Sequence, residues 1–219
     1  MIIDHTNPIY AAKRRTLGDD KYNGAYYYSK DIVKYIIPRV KTDRNWVTIR
    51  LNSMEIHPDH TIVFIHNNRN PNYYSYLKDY KDCILVCGLE STVTNMKFFS
   101  DKVIYLPLSV DVKSVMKYRV KNKTKEMAFA GRMIKLHRAP VPKECDILTG
   151  MPQSKLLAEM AKYKKVYCTG RTAIQAKILG CEIGVHDKRF PDPRIWNIVD
   201  CKEAAKMLQL QLNRIDGII

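Results

Sequence analysis

Short apolar runs alternate with segments of helical spacing along this chain, and the clearest case lies between Lys165 and Asp187. Val166 to Cys168 is an apolar run that reads as a buried strand. Thr169, Gly170, Arg171 and Thr172 form a polar turn. Ala173 to Leu179 follows with Ile174, Ile178 and Leu179 at helical spacing. Gly180 stands where a left-handed cap wants a residue without a Cβ. Glu182 to His186 reads as the next strand. The order is strand, polar turn, helix, glycine stop, strand: one βαβ unit. Its turn lies at the carboxyl end of a strand and the amino end of a helix, where free N–H groups and the helix dipole favour an anion such as a phosphate.

The same grammar covers the rest of the chain. Ile2 and Ile3 open a first strand. Ser29 is placed to cap a helix from Lys30 to about Ile37, stopped at Pro38. Trp46 to Leu51, Thr61 to His66, Cys83 to Cys87 and Val103 to Leu106 read as strands. Tyr73 to Tyr80 and Glu90 to Ser100 read as helices. From Ser109 to Lys125 the chain turns basic and loses its core signal, which predicts a domain boundary near Lys121. Beyond it the pattern predicts strands at Met127 to Ala130 and Cys145 to Leu148. A helix is expected from Pro152 to Lys162, with Leu156, Leu157 and Met160 on one face. The βαβ unit comes next, then a last strand within Arg194 to Val199 and an amphipathic helix from Lys202 to Ile215. Two successive alternations predict an α/β protein of two small Rossmann-like domains, residues 1–120 and 121–219, with a ligand cleft between them.

Composition narrows the partners. The 219 residues are 46% hydrophobic, enough for a core and against disorder. Lys and Arg number 37 against 22 Asp and Glu, a formal charge of +15. That balance favours polyanionic partners: nucleic acid, anionic glycans or nucleotides. No apolar run is long enough to span a bilayer, and MIIDHTNPIYAAKRR lacks the layout of a signal peptide, so a cytoplasmic protein is expected. The six cysteines read as small buried hydrophobes.

Three stretches together resemble the two-domain, GT-B-type glycosyltransferases. KVIYLPLSVDV, with Pro107, Val110 and Asp111, resembles the strand and turn before the domain crossover of that family. MAFAGRMIK, with Gly131, Arg132 and Lys135, resembles the first strand of its nucleotide-binding half. TAIQAKILGCEIGVHD resembles the helix that carries the donor-nucleotide contacts. The resemblance runs from Thr61 to Asp187. It implies a nucleotide-sugar donor as substrate, no bound cofactor and no metal. The family's ribose-binding glutamate falls at Gln175, the first glutamate of its retaining-enzyme pair is missing, its place being near Tyr167, and the proline after the helix glycine is absent.

Sugar transfer from such a donor builds charge on a leaving diphosphate, so fixed cations and N–H groups beside it lower the barrier. Arg132 and Lys135 are the expected cations, with Thr169, Gly170, Arg171 and Thr172 cradling phosphate or ribose. Gln175 is expected to meet a ribose or sugar hydroxyl. An inverting mechanism also needs a base for the acceptor's proton. His66, at a strand end, is the first candidate and Asp19 the second; His57, Asp59, His60 and Asp20 are neighbours of the same kind. Gly24, in NGAYYYS, resembles the glycine loop that faces the acceptor in this fold. Tyrosines cluster at Tyr26, Tyr27, Tyr28 and at Tyr73, Tyr74, Tyr76, where rings interleaved with cations can stack on sugars or bases. The function expected is sugar transfer to an anionic acceptor, modified DNA being the sharpest version. The alternative is a Rossmann-like protein that binds nucleotide or nucleic acid without catalysis.

Overall fold

A computed structural model describes residues 1–3, 24–50, 59–65, 82–132 and 141–218. The chain is mixed α/β and divides into two compact units. Among the described residues the first comprises 1–3, 29–50, 59–65, 82–107 and 201–218, and the second comprises 24–28, 108–132 and 141–200.

The first unit is built on five parallel strands: β1 (Ile2–Ile3), β2 (Asn45–Arg50), β3 (Thr61–Ile65), β4 (Cys83–Cys87) and β5 (Val103–Tyr105). They lie side by side in chain order, each paired with the next. Every residue of β3 and β4 is buried. This is the continuous apolar reading of a parallel strand covered on both faces. On one face Val47, Val63, Ile65, Leu85, Cys87 and Met96 form a core cluster; on the other Trp46 stacks on Phe64 at 6.3 Å. All six cysteines are free and buried, and burial pushes the Cys83 thiol up to about 11 and that of Cys87 up to about 12. They pack as small hydrophobes, as the sequence predicts.

Helix α1 (Gly24–Asp31) begins earlier than the sequence suggests, and Ser29 is not its cap. The Ser29 hydroxyl is fully buried and bonds the Thr48 hydroxyl, so it is committed to the core rather than to a helix end. A π-helical turn (Ile32–Ile36) and a 3-10 turn (Ile37–Arg39) follow. Pro38 sits in the first turn of the latter, where its missing N–H is not needed. Helix α2 (Glu90–Met96) covers the core cluster through Val93 and Met96.

The second unit holds α3 (Val112–Met116), β6 (Lys125–Ala130), β7 (Asp146–Leu148), α4 (Gln153–Met160), β8 (Tyr163–Tyr167), α5 (Arg171–Ile178) and β9 (Glu182–Gly184). Its sheet is parallel with the order β7-β6-β8-β9. Two expectations need correction. The boundary near Lys121 falls instead between 107 and 108, because Leu108, Val110 and Val115 bury apolar side chains in the second unit despite their basic neighbours. The closing helix, α6 (Cys201–Ile215), belongs to the first unit: its face of Cys201, Ala204, Ala205, Leu208 and Leu212 is buried, and it packs on the π-helical turn. Gln209 fastens it there, accepting from the Lys41 N–H at 2.6 Å and donating to the Lys41 carbonyl at 3.2 Å. The last strand expected within Arg194 to Val199 is a 3-10 turn (Pro193–Ile195), capped by Asp192, with a single parallel bridge from Asp200 to Val110. Among the described residues no helix is long and apolar enough to cross a membrane.

Candidate functional site

The order β7-β6-β8-β9 contains a reversal. From β6 the chain goes outward to β7 on one side, then returns to β8 on the other. Loops leaving neighbouring strands on either side of such a reversal diverge and leave a crevice at the carboxyl ends, the usual ligand site of an open α/β sheet. β6 and β8 are direct neighbours, with Phe129 opposite Tyr167. Gly131 and Arg132 leave the end of β6, and Cys168, Thr169 and Gly170 leave the end of β8. The two turns singled out in the sequence therefore share one sheet edge.

The turn after β8 is shaped by Gly170. It is the N-cap of α5 with φ 64° and ψ −140°, a conformation that L side chains rarely adopt. Arg171 and Thr172, expected in the turn, form the first turn of the helix instead. Gly180 ends that helix as the sequence predicts. At φ 77° it donates to the Lys177 carbonyl at 2.9 Å, while Cys181 donates to that of Ala176 at 2.9 Å. These are the two bonds of a Schellman stop.

Helices α4 and α5 are aligned by Lys123. Its ammonium donates to the carbonyls of Ala161 and Leu179, both at 2.8 Å, which are the C-cap residues of α4 and α5. A cation at two carboxyl ends complements both dipoles. The two amino ends meet at a small pocket lined by Gly24, Tyr27, Met151, Gln153, Leu156, Arg171, Thr172 and Gln175. Neither amino end is capped by its own N-cap side chain. The Gln153 N–H, in the first turn of α4, donates to the Tyr27 hydroxyl at 3.2 Å. Arg171 and Gln175 stand one turn apart on α5 and are only 6% and 4% exposed. The Gln175 Nε2 is buried and has no hydrogen-bond partner among the described residues. A buried amide nitrogen left in that state costs free energy that a ligand oxygen would recover.

The structure brings Arg171, Thr172, Gln175 and Gly24 to one pocket, with Gly170 heading the helix that supplies three of them. Gly24 is exposed and is the first residue of α1, into which the tyrosines after it continue. Arg132 is exposed at the end of β6, and a Cβ on Gly131 would come within 3.0 Å of the Phe129 ring. His66, Asp19, Asp20, Lys135 and His57 lie outside the described residues, as do Tyr73, Tyr74 and Tyr76. His60 is at the other edge of the first sheet: it precedes β3, where its ring meets Asp82 at 2.5 Å and Asp43 at 3.0 Å. Asp59 stands next to it, its carbonyl accepting from Asn45 at 3.3 Å.

Sequence reasoning missed Gln153 and gave Tyr27 only a general stacking role. The signal for Gln153 was its place just after Pro152, at the start of a helix. Asp187, after β9, is a carboxylate near the same edge of the sheet. The Arg189 guanidinium grips it at 3.0 and 2.6 Å and holds it down at about 2, so it is ionised and committed at neutral pH. No group of three or more His, Cys, Asp or Glu placed to hold a metal occurs among the described residues. Compared with family models and with curated proteins, the chain matches none.

Proposed function

We propose that the protein is a GT-B-type glycosyltransferase that binds the nucleotide of its sugar donor in the second unit, at the carboxyl edge of β6 and β8. The observation that carries this reading is the buried, unpartnered Gln175 amide beside Arg171, in the pocket where α4 and α5 begin. The strand reversal supports the location. The family resemblance of the sequence supplies the reaction: transfer of a sugar from a nucleotide donor to an acceptor held on the first half. On this reading Arg132 and Lys135 offset charge on the leaving diphosphate, and His66 or Asp19 takes the acceptor's proton. The charge of +15 points to an anionic acceptor, with modified DNA the sharpest candidate. Lys113, Lys117, Arg119 and Lys121 lie along α3 and the turn after it and are the described cations offered to such a polymer.

A non-catalytic nucleotide-binding module is the second reading. It is favoured by one feature: no carboxylate lines the pocket among the described residues, and an amide stands where the family carries its ribose-binding glutamate.

A thermal-shift screen against nucleoside diphosphates and their sugars tests both. A ligand at a hundredfold over its Kd adds about 2.7 kcal/mol to the unit it binds. Arg132→Ala is expected to weaken diphosphate binding by about 1.5–3 kcal/mol, the size of a charge-assisted hydrogen bond. Binding without turnover of any sugar nucleotide favours the second reading. No shift with any nucleotide removes both.

A further inference from the structure

The polar groups that line the pocket are Tyr27, Gln153, Arg171, Thr172 and Gln175. Each carries an N–H or O–H donor, and among the described residues none is an acid. The amino ends of α4 and α5 add two dipoles whose positive ends converge there, while Lys123 neutralises both carboxyl ends. The orphaned Gln175 Nε2 is itself a donor. A ribose offers hydroxyls that both donate and accept, and is matched by an acceptor such as a carboxylate. A group that only accepts and carries negative charge is matched by what this pocket contains.

Resting on the nucleotide reading, we propose that Gln175 donates its amide N–H to a phosphate oxygen of the ligand rather than to a ribose hydroxyl, so that the pocket is a diphosphate subsite. The amide is then the reason for the residue type. A carboxylate at 175, buried and one turn from the start of α5, would face an anion at short range in a weakly screened place. Glutamine keeps the length of the side chain and reverses the sense of the hydrogen bond. Arg171, one turn earlier on the same helix, supplies the positive charge. Tyr27 completes the site by accepting the Gln153 N–H, which leaves the amino end of α4 fixed at the rim.

Calorimetric titration of the full chain decides this with three probes: inorganic pyrophosphate, a nucleoside diphosphate and the matching nucleoside. Pyrophosphate and the nucleoside diphosphate should bind, and the nucleoside at least tenfold more weakly than its diphosphate. Gln175→Leu should weaken both anions about tenfold, and Gln175→Glu should weaken them further. Thermal unfolding checks that each variant is folded; if the glutamate variant is not, the leucine variant carries the test alone. A Gln175→Glu protein that binds the nucleoside diphosphate as well as the parent, or better, overturns the proposal in favour of a ribose contact. So does unchanged pyrophosphate binding by the leucine variant. Diphosphate binding that ignores residue 175 removes the anion subsite and keeps the nucleotide reading. Pyrophosphate binding that depends on residue 175, with no nucleotide binding, keeps the subsite and removes the nucleotide.

Discussion

Both sheets are fastened by polar residues at the amino edge, and the second also carries a polar pocket where two of its helices begin. In the first sheet, four neighbouring strands are each preceded by a charged or titratable side chain: Arg44 before β2, His60 before β3, Asp82 before β4 and Lys102 before β5. These four join one another at the amino edge, with Asp82 bonded to Lys102, His60 and Arg44. In the second sheet Lys125, Asp146 and Tyr163, which open β6, β7 and β8, join in the same way, while at the carboxyl edge Gln175 faces a pocket with its buried amide nitrogen unsatisfied. Polar groups that satisfy one another fasten a fold. Polar groups that do not are held ready for something else. Strand order points the same way. The first sheet runs in chain order with no reversal among its described strands, and the second reverses at β6 and β8. The lesson is that two α/β halves with similarly fastened amino edges are told apart by the strand reversal and the polar pocket of the second.

The largest effect expected from this contrast is on stability at the first edge. Arg44 is 5% exposed and donates to Asp82 at 3.0 Å and to Asp216 at 2.8 Å. Its removal leaves two carboxylates that are about a third exposed, at 34% and 33%, and can partly rehydrate. The cost therefore falls below that of a fully buried pair, at about 2–3 kcal/mol. Urea unfolding of Arg44→Ala measures it, and ligand affinity in the second unit should not change. A loss under about 0.5 kcal/mol, the usual size of a surface substitution, would mean that charge does not fasten this edge.

The second edge is broken at its glycine. A Cβ on Gly170 meets nothing within 4 Å, so the cost of Gly170→Ala is the backbone conformation alone, about 1–3 kcal/mol. Here stability and binding should fall together, because relaxing φ moves the start of α5 and with it Arg171 and Gln175. Measured nucleotide affinity that survives a clear loss of stability would separate the turn from the site and weaken the contrast between the edges.

Much of this is legible in the chain. Cys83–Cys87 is an unbroken apolar run, and such a run has few other homes than a doubly covered parallel strand. Gly180 announces the stop of α5 because the position demands a residue free of a Cβ. The phosphate-favouring turn after β8 is visible in the residues themselves, since strand, polar turn and helix follow in order. What the local pattern misses are features decided by distant partners. Ser29 looks like a cap until Thr48 is seen beside it. Lys123 sits in a run of cations that reads as a linker, yet it closes two helices. Gln175 reads as a ribose or sugar contact, and no local pattern shows that its amide nitrogen is buried without a partner. Tyr27 reaches its pocket from 126 positions upstream of Gln153, a pairing no local pattern can announce.

The smallest effect is the pH dependence that His60 gives to the amino edge of the first sheet. The His60 ring is held above its ordinary 6.5, first by the Asp82 carboxylate and then by that of Asp43. A raised value means that His60 contributes its full share below about pH 6.5 and loses it as pH rises through the folded value. Asp82 runs the other way. Lys102 first, then His60 and Arg44, hold its carboxyl well below the usual carboxylate range, so its share is present above about pH 3.8 and is lost in stronger acid. The network is therefore complete between those limits. His60→Asn isolates the histidine, because asparagine tolerates the φ of 58° found there. The parent should exceed this variant by less than about 1 kcal/mol near pH 5.5, since the ring is 41% exposed, and the excess should vanish by about pH 9. Urea midpoints of both proteins at pH 5.5, 7.5 and 9 measure the difference. A gap that stays constant across that range would make His60 a neutral spacer between two aspartates, and the amino edge would then be held by Arg44 and Lys102 without it.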